Sequence, residues 1–235
     1  MEGERRSIDP AEAGPYGVMR CAPSTRRFTD EPVGRELLER ALDNARFAPS
    51  GGNRQGWSVI VVTDQGLRTR LRELYGPPWD AYMIRTGGRA LLDAADRGAA
   101  QPDGVTPGRI RMLRDADEYA RTFDHAPVHL VVCVRLDTLA VTDAELTRQS
   151  IVGGASIYPF VQNILLALRH EGLGASFTTL LVPAEETVCE LLSIPDGVAV
   201  AGHISLGWRA DPWPARLSRR PVSAFTFSNH FGEPW

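Results

Sequence analysis

The chain contains no lysine: all 26 of its basic side chains are arginine. Without an amine, no Schiff base to a carbonyl substrate or to pyridoxal phosphate can form, and no GxxxxGK[ST] phosphate loop can be built. Other protein-borne catalytic patterns are missing as well. There is no GxSxG elbow, no HExxH, and no carboxylate pair that stands out from surface charge. His125 and His129 lie on either side of Pro127, which denies them a helical i,i+4 ligand geometry, so both read as structural. Cys21, Cys133 and Cys189 are far apart and never form CxxC, which points to a reducing cytosol and away from a zinc site. Gly172-Leu173-Gly174-Ala175-Ser176-Phe177 comes nearest to a dinucleotide fingerprint, but a helical pattern precedes it where a strand is needed. What remains is a supply of arginines and one glycine-rich loop, Ser50-Gly51-Gly52-Asn53-Arg54-Gln55-Gly56. Such a loop brings backbone close to a flat ring, because no Cβ intervenes. A catalyst made of these parts must borrow its chemistry from a cofactor.

The elements that would position these residues can be read from periodicity. Leu37, Leu38, Ala41, Leu42 and Ala45 share one helical face, and Pro49 closes that helix. The glycine loop follows, then the β-branched run Trp57–Thr63 and a helix near Gln65–Tyr75. His129–Val134 is an unbroken apolar run of the kind covered on both faces. A long apolar helix is expected over about Val152–Arg169, a short strand near Ala175–Thr178, a helix over Ala184–Ser193 and a strand over Val198–Leu206. Alternating helices and strands around one sheet predict a single α+β domain over residues 18–235. Residues 1–17 read as a mobile arm, and residues 216–235 as a weakly periodic C-terminal extension. Residues 76–125, broken by Gly76-Pro77-Pro78 and Pro102-Asp103-Gly104, read as a lid that selects substrate through Trp79, Tyr82 and Tyr119.

Three segments in order carry a resemblance. They are Ser24-Thr25-Arg26-Arg27-Phe28 followed by Pro32-Val33, then Ala48-Pro49-Ser50-Gly51-Gly52-Asn53-Arg54-Gln55-Gly56-Trp57, then Gln162-Asn163-Ile164-Leu165-Leu166-Ala167-Leu168 running to Gly172-Leu173-Gly174. Together they resemble the FMN-dependent nitroreductase family over residues 18–225, weakest over 76–125. The resemblance implies a central, mostly antiparallel sheet flanked by helices, in an intertwined homodimer with one FMN at each of two interfacial sites.

It also implies roles for particular residues. Arg26 matches the last basic residue of the RRSxR signature and Arg219, in Arg219-Arg220-Pro221, that of a C-terminal R-x-P, so both are expected on the FMN phosphate. The first two basic positions of the signature are Ala22 and Pro23 here, leaving the Ser24 hydroxyl and Arg20 as further aids. Pro49, Ser50, Gly51 and Asn53 are expected on the flavin of the partner subunit, with Gly52 facing substrate. Gly56 stands where the family has proline, which should loosen that turn. Phe177, Thr178 and Thr179 match a strand-end segment beside flavin N5, where a hydroxyl donor is associated with one-electron chemistry. Flavin N5 then carries the reaction, and no side chain is itself catalytic.

The implied activity is reduction of nitroaromatic, quinone or related acceptors with NAD(P)H by a ping-pong mechanism. Two further readings stay open: a tailoring enzyme of the same fold (a reductive dehalogenase or a substrate dehydrogenase), and a flavin-sequestering protein with low turnover. A formal net charge of −3 and scattered arginines argue against nucleic acid. The sequence shows neither an apolar leader nor a membrane span, so a cytoplasmic location is expected.

Overall fold

In the computed structural model, which describes residues 14–235, an antiparallel four-stranded sheet is ordered β1-β2-β4-β3. Its strands are β1 (Trp57–Val62), β2 (Val128–Arg135), β3 (Leu173–Thr178) and β4 (Val198–Trp208). The apolar run at β2 makes it a central strand, buried until its last residue. Alternation sends Val128, Leu130, Val132 and Val134 into one core and Val131 and Cys133 into the other. The first core is closed by α2 (Arg35–Ala45) and α6 (Tyr158–His170), through Leu38, Ala41, Phe160, Ile164 and Leu168. The second is closed by α3 (Gln65–Arg85), α4 (Gly88–Asp96), α5 (Pro107–Arg121) and α7 (Glu185–Leu192). The short α1 (Gly14–Cys21) packs on α6. The result is the expected α+β arrangement of an antiparallel sheet between helical layers. Among the described residues no helix is long and apolar enough to cross a membrane.

The structure departs from the expected elements in three places. The helix expected over Gln65–Tyr75 continues to Arg85 through Pro77 and Pro78. Each proline removes a ladder donor, but Leu71, Tyr75, Trp79 and Met83, spaced by four, are all buried and pull the helix through the break. Residues 76–125 are therefore mostly a helical layer on the sheet. The helix expected from Val152 begins at Tyr158, because Val152–Ser156, with Gly153 and Gly154, forms a 3₁₀ turn. Of the expected N-terminal arm, residues 1–13 lie outside the described residues and Gly14–Gly17 open α1.

Candidate functional site

The segment after α1 is laid along the sheet by backbone pairing. Ser24 bridges Ala175 in parallel, and the Thr25 N–H donates to the Ala175 carbonyl at 2.8 Å. Further on, Thr29 donates to the Trp208 carbonyl at 2.9 Å, and Ala210 to that of Arg27 at 3.1 Å. This close approach explains Gly174: a Cβ there would stand 2.6 Å from Thr25 Oγ1. The neighbouring Gly172 has φ +83, the left-handed turn that ends α6 and starts β3. The C-terminal chain returns to the same place, where Leu217 donates to the Arg20 carbonyl at 2.8 Å.

Between these segments and α6 lies a cavity of about 250 Å³. Ala22, Pro23, Ser24, Phe177 and Arg219 line it, as the sequence suggested they should share a site. Two further residues, Arg169 and Trp213, also line it. Arg169 is buried to 2% exposure, with its Cζ 3.7 Å from the centroid of the Trp213 ring. Its position in the sequence hid this burial. At the end of an apolar helix an arginine reads as a solvated cation complementing the helix dipole.

A second cavity of about 420 Å³ opens beyond Phe177, which lines both. Thr178 and Thr179 of the expected strand-end segment are here, and so are Trp79, Tyr82 and Tyr119 of the expected substrate group. Arg26 is here too, so the structure separates it from Arg219. The Thr178 hydroxyl accepts from the Leu180 N–H at 3.1 Å and is hydrogen-bonded to the Tyr75 phenol. Burial raises the pKa of the Tyr75 and Tyr119 phenols more than the nearby Arg26 charge lowers it, so both remain proton donors.

The aromatic walls differ in freedom. Trp79 is buried and its indole donates to Asp117 Oδ1 at 2.9 Å. Burial opposes ionisation of Asp117, but hydrogen bonds from Arg89, Trp79 and Arg121 prevail and lower its pKa to about 2. Tyr119 is 4% exposed, and its hydroxyl lies 2.6 Å from Ser205 Oγ. Both are buried, and Tyr82, at 39% exposure, is the one of the three aromatic residues open to solvent. Among the described residues, Arg169 and Arg219 line the first cavity and Arg26 and Arg85 the second, while no carboxylate lines either. In a chain of net charge −3 this is a local excess of positive charge.

Pro49, Ser50, Gly51, Gly52 and Asn53 line neither cavity. They precede β1, on the sheet edge opposite β3. Strand spacing alone puts those edges about 14 Å apart. The loop is built to a fixed shape. The Gly51 N–H donates to Ser156 Oγ at 3.0 Å, and the Gln55 N–H to Ser50 Oγ at 3.0 Å. Gly52, Asn53 and Gln55 have positive φ, at 60, 54 and 49, left-handed positions interrupted by Arg54 at φ −73. Gln55 Nε2 donates to Asn53 Oδ1 at 3.1 Å, which explains why the two residues occur together. Gly56 does not loosen the turn: the Thr138 side chain fills the space above it, and a Cβ there would collide with Thr138 Oγ1.

Comparison with known proteins follows the same outline. The model of the Nitroreductase family matches residues 23–208. The chain is 27% identical to a nitrobenzene nitroreductase of Ectopseudomonas oleovorans over 229 residues, covering 91% of this chain and 96% of that protein. The fold is shared with an oxidised iodotyrosine deiodinase solved with FMN and 3-iodo-L-tyrosine, at TM-score 0.63, 22% identity and coverage of 88% and 96% of the two chains. It is shared too with the NADPH:FMN oxidoreductase of Vibrio harveyi in complex with NAD⁺, at TM-score 0.63, 21% identity and coverage of 93% and 78%.

Proposed function

Because the chain belongs to the nitroreductase family, we propose that it is an FMN-dependent oxidoreductase that uses NAD(P)H to reduce nitroaromatic, quinone-like or related flat acceptors. The observation that carries this reading is the pair of cavities meeting at Phe177, lined by arginines and aromatic rings and by no carboxylate among the described residues. The first suits a dianionic phosphate, with Ser24 and Arg219 as donors. The second suits a flat ring and a flat substrate, between Phe177 on one side and Trp79, Tyr82 and Tyr119 on the other.

FMN supplies the hydride chemistry that no side chain of this protein offers. The protein's own part is positioning. The Thr178 hydroxyl and the strand-end backbone at Thr179 offer donors at the second cavity, and Arg26 attracts electron-rich groups such as nitro or carbonyl oxygens. Trp79 and Tyr119 exclude water from the back of that cavity. Nicotinamide and acceptor would occupy the same space in turn, which predicts ping-pong kinetics.

We also propose that the active form is a homodimer. The loop Pro49–Asn53 is held rigidly at the far sheet edge from both cavities, so only a second copy could bring it to them. Exposed Ile151, Tyr158, Phe225 and Phe231 supply apolar surface for such an interface. Steady-state NAD(P)H oxidation tests the function. Turnover should require a nitroaromatic or quinone and give parallel double-reciprocal lines; intersecting lines would contradict a shared space. A second reading, reductive dehalogenation, draws on the Thr178 hydroxyl that lines the second cavity. Halide release from a halophenol under NAD(P)H, with no nitro reduction, would favour it.

A further inference from the structure

Arg169 is an unusual residue energetically. Its guanidinium is buried, yet no carboxylate stands within 4.0 Å of it among the described residues. It donates from Nε to the Cys21 carbonyl at 3.3 Å and from Nη2 to Cys21 Sγ at 3.4 Å, both weak or neutral acceptors. Among the described residues Nη1 has no hydrogen-bond partner. The Trp213 ring covers one face of the group and offsets only part of the lost hydration. A buried cation left in this state is costly unless an anion completes it. The residue lines the same cavity as Ser24 and Arg219, where Ala22 and Pro23 bring no charge and Pro23 no backbone donor.

We propose that Arg169 is an anchor for the phosphate of FMN, and that this buried guanidinium carries the charge that Ala22 does not supply. This rests on the FMN reading above. Two supports hold the group in place before the anion arrives: Cys21 fixes one side of the fork, and Trp213 fixes its plane. The remaining Nη1 donor is buried and unpaired in a residue that lines the cavity, so a charge-assisted hydrogen bond there comes at little ordering cost.

The test compares FMN with riboflavin, which lacks the phosphate, by quenching of flavin fluorescence in the full-length protein. Arg169→Gln should weaken FMN about tenfold to a hundredfold and leave riboflavin unchanged, the range for losing a charged hydrogen bond. Adding Ala22→Arg to that variant should recover part of the FMN affinity. A crystal structure of the wild-type protein with FMN needs no variant, and should place a phosphate oxygen within hydrogen-bond distance of an Arg169 Nη atom. Equal loss of both flavins, undiminished FMN binding by Arg169→Gln, or a phosphate out of reach in the crystal would each overturn the assignment. A wild-type protein that binds neither flavin would instead overturn the parent reading.

Discussion

Arg219 and Arg26 are arginines of similar sequence context, but the structure gives them different surroundings, and their losses should differ. Arg219 is exposed at the rim of the first cavity, while Arg26 sits half-buried beside Tyr75 and Tyr119 in the second. Arg219→Ala should cost about 1.5–3 kcal/mol of FMN binding, the range for a hydrogen bond to a charged group, with riboflavin binding unchanged. Arg26→Ala should weaken both flavins alike. Isothermal titration of each variant with each flavin decides this; an FMN-selective loss at Arg26 would return it to the phosphate. Among the aromatic residues, Tyr82 is the one free to select substrate. Tyr82→Ala should change kcat/KM unequally among acceptors and leave the flavin spectrum intact. Trp79→Ala should instead destabilise the fold by about 3–5 kcal/mol, as buried aromatic truncations do. Equal effects of Tyr82→Ala on every acceptor would make it a structural residue. Sequence alone could nominate Trp79, Tyr82 and Tyr119 as one group. It could not separate them, because burial of Trp79 and Tyr119 depends on Asp117 and Ser205 arriving from other elements.

At the scale of elements, the central strands carry an acid-labile pair. His129 on β2 and His203 on β4 are fully buried, with Nδ1 and Nε2 2.8 Å apart. Burial, together with the Arg68 charge, lowers the pKa of His129 to about 3, and burial with its neighbour lowers that of His203 well below 6.5. Folded, both are neutral; unfolded, both bind protons below about pH 6.5. Between those limits the unfolded chain holds more protons, so stability is present above pH 6.5 and falls as pH drops toward 3. Each imidazole contributes a slope of about 1.4 kcal/mol per pH unit. Urea unfolding at pH 7, 6 and 5 should show this loss, and His203→Leu should flatten it. A pH-independent midpoint would mean that the pair is solvated. Elements with a strong local pattern, such as β2 and the start of α3, were legible in the sequence. The passage of α3 through Pro77 and Pro78 was not, because four buried side chains outvote a local breaker. Nor was the pairing of His129 with His203, which is a matter of strand register.

For the whole molecule, the separation between the Pro49–Asn53 loop and the two cavities is the ground for the proposal that dimerisation is a condition of activity. Sedimentation at micromolar concentration should give a dimer, and Asn53→Ala, a change on the exposed loop that lines neither cavity of its own subunit, should lower flavin affinity. A flavin-bound, active monomer would contradict this. Two of the three motifs share residues with the cavities, Ser24 and Arg26 from the first and Gln162 from the third, while Arg169 stands out only by its burial. The central claim, that the arginine-lined cavities hold a redox-active FMN, is tested most directly by the absorption spectrum of the purified protein before and after anaerobic NAD(P)H. The protein should be yellow, release FMN and not FAD on denaturation, bleach with NAD(P)H, and regain its colour when nitrobenzene is added. A colourless protein that takes up no FMN on titration, or a bound flavin that NAD(P)H leaves unbleached, would contradict the account.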